Sequence, residues 1–250
     1  MRTYPEWLEV LAWAYISLCC VCALLIVLHE VQHPQKMRVM NFVWPITALY
    51  LGPILVWLYR TLLPYTVKSS ERQVGDRRER SKPHIPQVFT AVCHCGAGCA
   101  LGDIVGESLA PSVGIVFAGK FGSKLVVDFL FAYVFGIAFQ YFTIVPMRSM
   151  PFGQGVLAAM RADTISISLF EIGMFGWMAL NYFVLFPSSH LRSNEVVFWF
   201  MMQISMIVGT LTAYPANLWL IERGWKEKMP KYAEKEEKCQ SGRHSKKGAA

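Results

Sequence analysis

Apolar runs alternate with short polar breaks along the chain, and six of the runs approach the length that crosses a bilayer as a helix. They cover Leu8–Leu28, Phe42–Leu62, Val88–Ala110, Val126–Val145, Thr164–Phe186 and Val196–Leu220. None alternates with the period of two that marks a strand. The pattern predicts an all-α polytopic membrane protein with six transmembrane helices. Two helices fall in residues 1–63 and four in residues 88–221. A basic, Ser-containing stretch without apolar periodicity separates them at 64–87, and a Lys/Glu/Gly-rich tail that reads as largely disordered closes the chain at 222–250.

Composition agrees. Apolar residues make up 54% of the chain, charged residues 16%, and mean hydropathy is +0.35. The net charge of +7 sits mainly in loop and tail, which points to an anionic membrane surface and excludes nucleic acid as the partner. With an even number of spans both termini share a side. That side carries Arg2, seven basic residues from Arg60 to Lys82, Arg148, Arg161 and nine from Arg223 to Lys247. The other carries Lys36, Arg38, Lys120, Lys124 and Arg192, so the termini are expected in the cytoplasm. No cleavable signal is apparent, and nothing specifies which membrane holds the protein.

Chemistry concentrates in the third run, around Cys93-His94-Cys95-Gly96-Ala97-Gly98-Cys99-Ala100-Leu101-Gly102-Asp103. On a helix Cys95, Cys99, Asp103 and Glu107 recur every four residues and form one slowly turning stripe. Gly98, Gly102 and Gly106 form a parallel stripe that lets another helix approach closely. His94 projects about 100° away and joins the stripe only if the helix unwinds. Glu171 lies at membrane depth in the fifth run, and Gln140 and Gln203 are polar groups available to orient the acids. Buried carboxylates without a basic partner must be protonated or hold a cation. Two thiols on the same stripe favour copper or zinc over magnesium or calcium. The expected metal set is therefore His94, Cys95, Cys99, Asp103, Glu107 and Glu171, with Gln140 and Gln203 in support.

Other signals read more simply. His29-Glu30-Val31-Gln32-His33 matches the zinc-hydrolase string, but Pro34 follows at once and no third ligand stands at a characteristic spacing. Asp163 fits the N-cap of the fifth span, with a short segment up to Ala162 lying on the inner surface. Lys124 and Asp128 suit an interfacial ion pair. No Lys or Arg is expected inside a span. Cys19, Cys20 and Cys22 and the methionines read as packing, and Gly52-Pro53 predicts a kink in the second span.

Several of these segments together resemble a known family. Asn41 to Pro53, His94 to Asp103, Phe135 to Phe142, Glu171 to Met174 and Trp199 to Gln203 are similar to the membrane family called domain of unknown function 4396, over about Gln32 to Met229. The resemblance implies a multi-pass membrane fold and supplies no mechanism. Three functions stay open. The first is binding or transport of a transition-metal cation (copper or zinc) or of protons through the Cys/Asp/Glu site. The second is a non-catalytic scaffold or assembly factor, and the third a membrane metal-dependent hydrolase or redox enzyme. The residues lean away from an enzyme. Membrane lipids and a metal ion are the expected partners, and a homo-oligomer is open.

Overall fold

The computed structural model describes residues 4–32, 39–61, 85–113, 119–148, 151–187 and 190–226, and every regular element among them is helical. The helices are α1 (Glu6–Gln32), α2 (Met40–Leu51), α3 (53–61), α4 (Ile85–Val113), α5 (Gly119–Arg148), α6 (Phe152–Leu180) and α7 (Val196–Glu222). One π-helical turn, Asn181–Leu185, prolongs α6. Helices suit an apolar solvent because each satisfies its own backbone hydrogen bonds. Five of them, α1, α4, α5, α6 and α7, are long and apolar enough to cross a membrane.

The expected second span takes a different form. The run from Phe42 to Leu62 breaks at Gly52, whose φ of +53° is one that side chains with a Cβ rarely adopt. A Cβ there would also lie 2.8 Å from the Cys19 sulfur, halfway along α1. Beyond the break the chain returns. Tyr59 near the end of α3 packs edge-on against Trp44 near the start of α2 (5.4 Å between ring centroids) and against His29 near the end of α1 (5.6 Å). The Tyr59 hydroxyl also meets His29 Nδ1 at 3.2 Å. α2 and α3 are thus the arms of a hairpin that leaves the bundle on the side where it entered. Length agrees, since the 12 residues of α2 reach only about 18 Å of the roughly 30 Å apolar layer.

The remaining contacts assign every helix end to a side. Leu8 and Ala12 of α1 pack with Val197, Phe200 and Met201 at the start of α7. Glu107 near the end of α4 meets Lys124 near the start of α5 and Ser193 just before α7. We call this side proximal. On the opposite, distal side are the end of α1, the hairpin ends, the start of α4, the end of α5, the start of α6 and the end of α7. Thr47 donates to Cys93 O, which seats the first turns of α4 beside α2 on the distal side.

α4 is the central helix: 78% of its most apolar window is buried, against 28% for α1. Its glycine stripe packs in register on α5. A Cβ on Gly98 would lie 2.7 Å from Gly136 Cα, one on Gly102 would fall on the Ala132 backbone, and one on Gly106 would meet Asp128. The small-residue pattern is accounted for by this seam.

Two local expectations are corrected. α6 begins at Phe152 after an extended Pro151, so Asp163 lies eleven residues into the helix and is no N-cap. The segment preceding it is the distal end of α6 rather than a separate surface helix. Lys226 is the buried cation that the run boundaries missed. Gly224, at φ +73°, ends α7 and turns the chain back, with Trp225 N donating to Leu220 O and Gly224 N to Ile221 O. This is a Schellman cap, and it delivers Lys226 beneath the helix it follows.

Candidate functional site

The stripe on α4 is realised as a row of fully buried groups. Cys95, Cys99 and Asp103 are inaccessible and Glu107 is 1% exposed. At the membrane-centre end of the row, Cys99 interacts with Cys95 and with Glu171 of α6. Asp103, one turn on, lies within electrostatic reach of Glu171, Asp128 and Glu107. Apart from the Cys99 thiol, neither the oxygens of Asp103 nor those of Glu171 have a hydrogen-bond partner. Tyr50, at the tip of the hairpin, brings a buried hydroxyl to the same level, next to Gly96 and near Cys93 and Cys99.

At the proximal end the acids become accessible to a cation. Lys124 Nζ lies 2.6 Å from Glu107 Oε1, and Ser193 Oγ donates to Glu107 Oε2 at 2.8 Å. Asp128 stands beside Glu107 as a carboxyl pair. The expected Lys124–Asp128 pair is thus redirected: the ammonium serves Glu107 of the neighbouring helix. Lys124 is 25% exposed and also sits over the Phe198 ring, 4.3 Å from its centroid. Four carboxyls (Asp103, Glu107, Asp128, Glu171) therefore share one lysine. Asp128 was absent from the expected site. Its only sequence signal was its place at the depth of Glu107 on the partner helix, masked by the local Lys124 four residues earlier.

A second polar group occupies the distal half. Lys226 Nζ donates to Asp163 Oδ1 at 2.6 Å and to Asn217 Oδ1 at 2.7 Å. Asn217 Nδ2 donates to Ser166 Oγ (2.6 Å) and to Ala213 O (2.9 Å). All four side chains are buried. Within electrostatic reach of this pair His94, also inaccessible, meets Thr143 Oγ1 through Nε2 at 2.7 Å and packs on Phe139. Thr143 Oγ1 also lies 3.1 Å from Phe139 O, and His94 Nδ1 is buried without a partner. His94 is therefore engaged with α5 and stands apart from the cysteine stripe.

The supporting amides separate. Gln140 is buried on α5 at the level of His94, with Oε1 unpartnered. Gln203 Nε2 donates to Leu49 O at 2.6 Å and ties α7 to the hairpin. Of the zinc-hydrolase string, His29 pairs with Tyr59, Glu30 is buried without a hydrogen-bond partner, and His33 lies outside the described residues. Among the described residues no three His, Cys, Asp or Glu side chains gather closely enough to hold a metal ion.

The apolar helices and the intramembrane carboxyls define a multi-pass α-helical membrane protein. A family model described as domain of unknown function (DUF4396) matches residues 86–226, which covers α4 through Lys226, and the chain belongs to that family. The similarity drawn from Gln32 to Pro53 lies outside the matched range. No curated protein and no solved structure gives a significant match.

Proposed function

We propose that the protein moves a small cation across the membrane along α4, and that the proton is the cargo its acids favour. One observation carries this reading: four carboxyls are stacked along the central helix with a single ammonium among them. A buried carboxylate is costly and an uncompensated series of them more so, so the row must bind protons or cations to exist in a membrane. Adjacent acids that exchange one proton are the usual elements of a relay. Packing of the glycine seam, the core of the scaffold reading, accounts for Gly98 and Gly102 but leaves Asp103 and Glu171 without a role. A copper or zinc ion would have to draw on Cys95, Cys99 and Glu171, which do not gather closely enough to hold one. The proton is preferred because the row extends two further turns toward the proximal side, beyond any thiol.

The same proposal carries an orientation. With the hairpin returning to its own side, the chain crosses five times, and α1 starts on the side opposite to the end of α7. In sequence, the segments that join or follow distal helix ends carry Lys36, Arg38, the seven basic residues from Arg60 to Lys82, Arg148, Arg161 and the nine from Arg223 to Lys247. Only Arg2, Lys120, Lys124 and Arg192 belong with proximal ones. The distal side is the cytoplasmic one by this asymmetry, which is sharper than in a six-span arrangement.

The test is proton flux into liposomes carrying the purified protein, driven by a potassium diffusion potential and read by an enclosed pH dye. Wild-type protein should acidify the lumen well above empty liposomes, and Glu171→Gln and Asp103→Asn should each reduce the rate at least tenfold. A wild-type rate equal to that of empty liposomes, or equal rates for wild type and Glu171→Gln, removes the proposal.

A further inference from the structure

The distal group around Lys226 is built as a socket for a cation, and each of its acceptors is fixed by an independent contact. Asn217 spends both amide hydrogens on Ser166 Oγ and Ala213 O, which leaves Oδ1 no orientation but toward the ammonium. Asp163 is held in mid-helix on α6, gives Oδ1 to the ammonium, and keeps Oδ2 buried without any partner. Lys226 arrives from outside the bundle, on a four-residue return after α7 that depends on the positive φ of Gly224. Its ammonium is fully enclosed, as is the carboxylate opposite. A lysine placed only to cover the helix end would keep its charge in water and bury its stem. Here the charge itself is buried and the acceptors converge on it.

We infer that Asp163, Asn217 and Ser166 form a binding site for a primary ammonium or other small monovalent cation, and that Lys226 is its tethered occupant. A carboxylate, an oriented amide oxygen and an unused carboxylate oxygen form a shell suited to a monocharged donor. The single net negative charge gives a divalent ion too little compensation. The site lies on α6 about 12 Å along the helix from Glu171, toward the distal end of the bundle. The inference stands on the socket geometry alone and does not require that α4 conduct.

The experiment uses the full chain in detergent, with thermal unfolding followed by tryptophan fluorescence. Lys226→Ala should lower Tm by about 10 °C, because the carboxylate is left buried without its cation. Methylammonium should restore most of that loss in a saturable manner, while tetramethylammonium, which has no N–H donor and is too large for the socket, should not. Wild type, whose socket is full, should respond equally to both salts. An equal response of Lys226→Ala to the two cations, or no loss of Tm in that variant, overturns the inference. If Lys226→Ala is not recovered folded, reductive methylation of the wild-type protein replaces it, with modified lysines mapped by mass spectrometry. Lys226 should be at least tenfold less reactive than Lys124, and equal reactivity overturns the inference. All these measurements read occupancy, so their failure leaves the flux experiment untouched, and failure of the flux experiment leaves the socket standing.

Discussion

The two ends of the bundle treat buried charge in opposite ways. In the distal group around Lys226 one carboxylate, Asp163, faces one ammonium, and an amide and a hydroxyl complete the set, while Glu30 of α1 is buried apart from it. At the proximal end and the centre, four carboxyls face one partly exposed lysine. A balanced pair is held by its own geometry and needs nothing from outside. An unbalanced row is tolerable only if its acids are protonated or bind cations. Equal burial therefore goes with opposite charge balance in the two groups.

The largest expected effect breaks the balanced end. Asp163→Asn leaves the Lys226 ammonium buried without a carboxylate and should cost about 3–5 kcal/mol of stability, seen as a large fall in Tm or loss of monodisperse protein. Adding Lys226→Met to that variant should recover a substantial part, because the orphaned charge is gone. A double variant as unstable as the single one would show that the pair serves packing and not charge.

The seam between the two ends comes next. Gly102→Ala drives a Cβ into the Ala132 backbone, which has no flexible end to yield, and should cost about 1–3 kcal/mol. Gly176→Ala on α6, where nothing lies within 4 Å, should be neutral or stabilise by up to about 1 kcal/mol through helix propensity. Equal melting temperatures for the two would mean that α4 and α5 do not meet as closely as the register requires. Lys124→Met should have a smaller effect still, about 1 kcal/mol or less, because its ammonium is solvent-accessible in part.

Much of this was legible in the chain itself. The stripe from Cys95 to Glu107 and the glycines beside it follow from helical spacing, and their roles in site and seam are separated by 60° on one helix. The hairpin was not legible, although its signal was present. Gly52-Pro53 reads equally as a kink in a crossing helix or as a reversal, and only the contact of Tyr59 with Trp44 and His29 decides. Lys226 and Asp163 failed for a related reason. Hydropathy ends α7 at the first charges and starts α6 after Arg161, whereas the helix begins at Phe152 and the chain after α7 folds back through Gly224. Patterns in sequence locate apolar length well, but they carry no information about charges that become buried through a turn.

The smallest stability effect is the one that sharpens the contrast most. Asp103 has no hydrogen-bond partner and Glu171 none besides the Cys99 thiol, so replacing either carboxyl by its amide removes a group that is costly to ionise and breaks at most one thiol contact. Glu171→Gln and Asp103→Asn should therefore melt within about 1 kcal/mol of wild type, with any shift toward higher stability. The same substitutions are expected to abolish proton flux. Residues kept for folding lose stability and function together when altered, as Asp163 should. Residues kept for a route lose function alone. A fall in Tm for Glu171→Gln comparable to that of Asp163→Asn would erase the distinction between the two ends and return Glu171 to the scaffold.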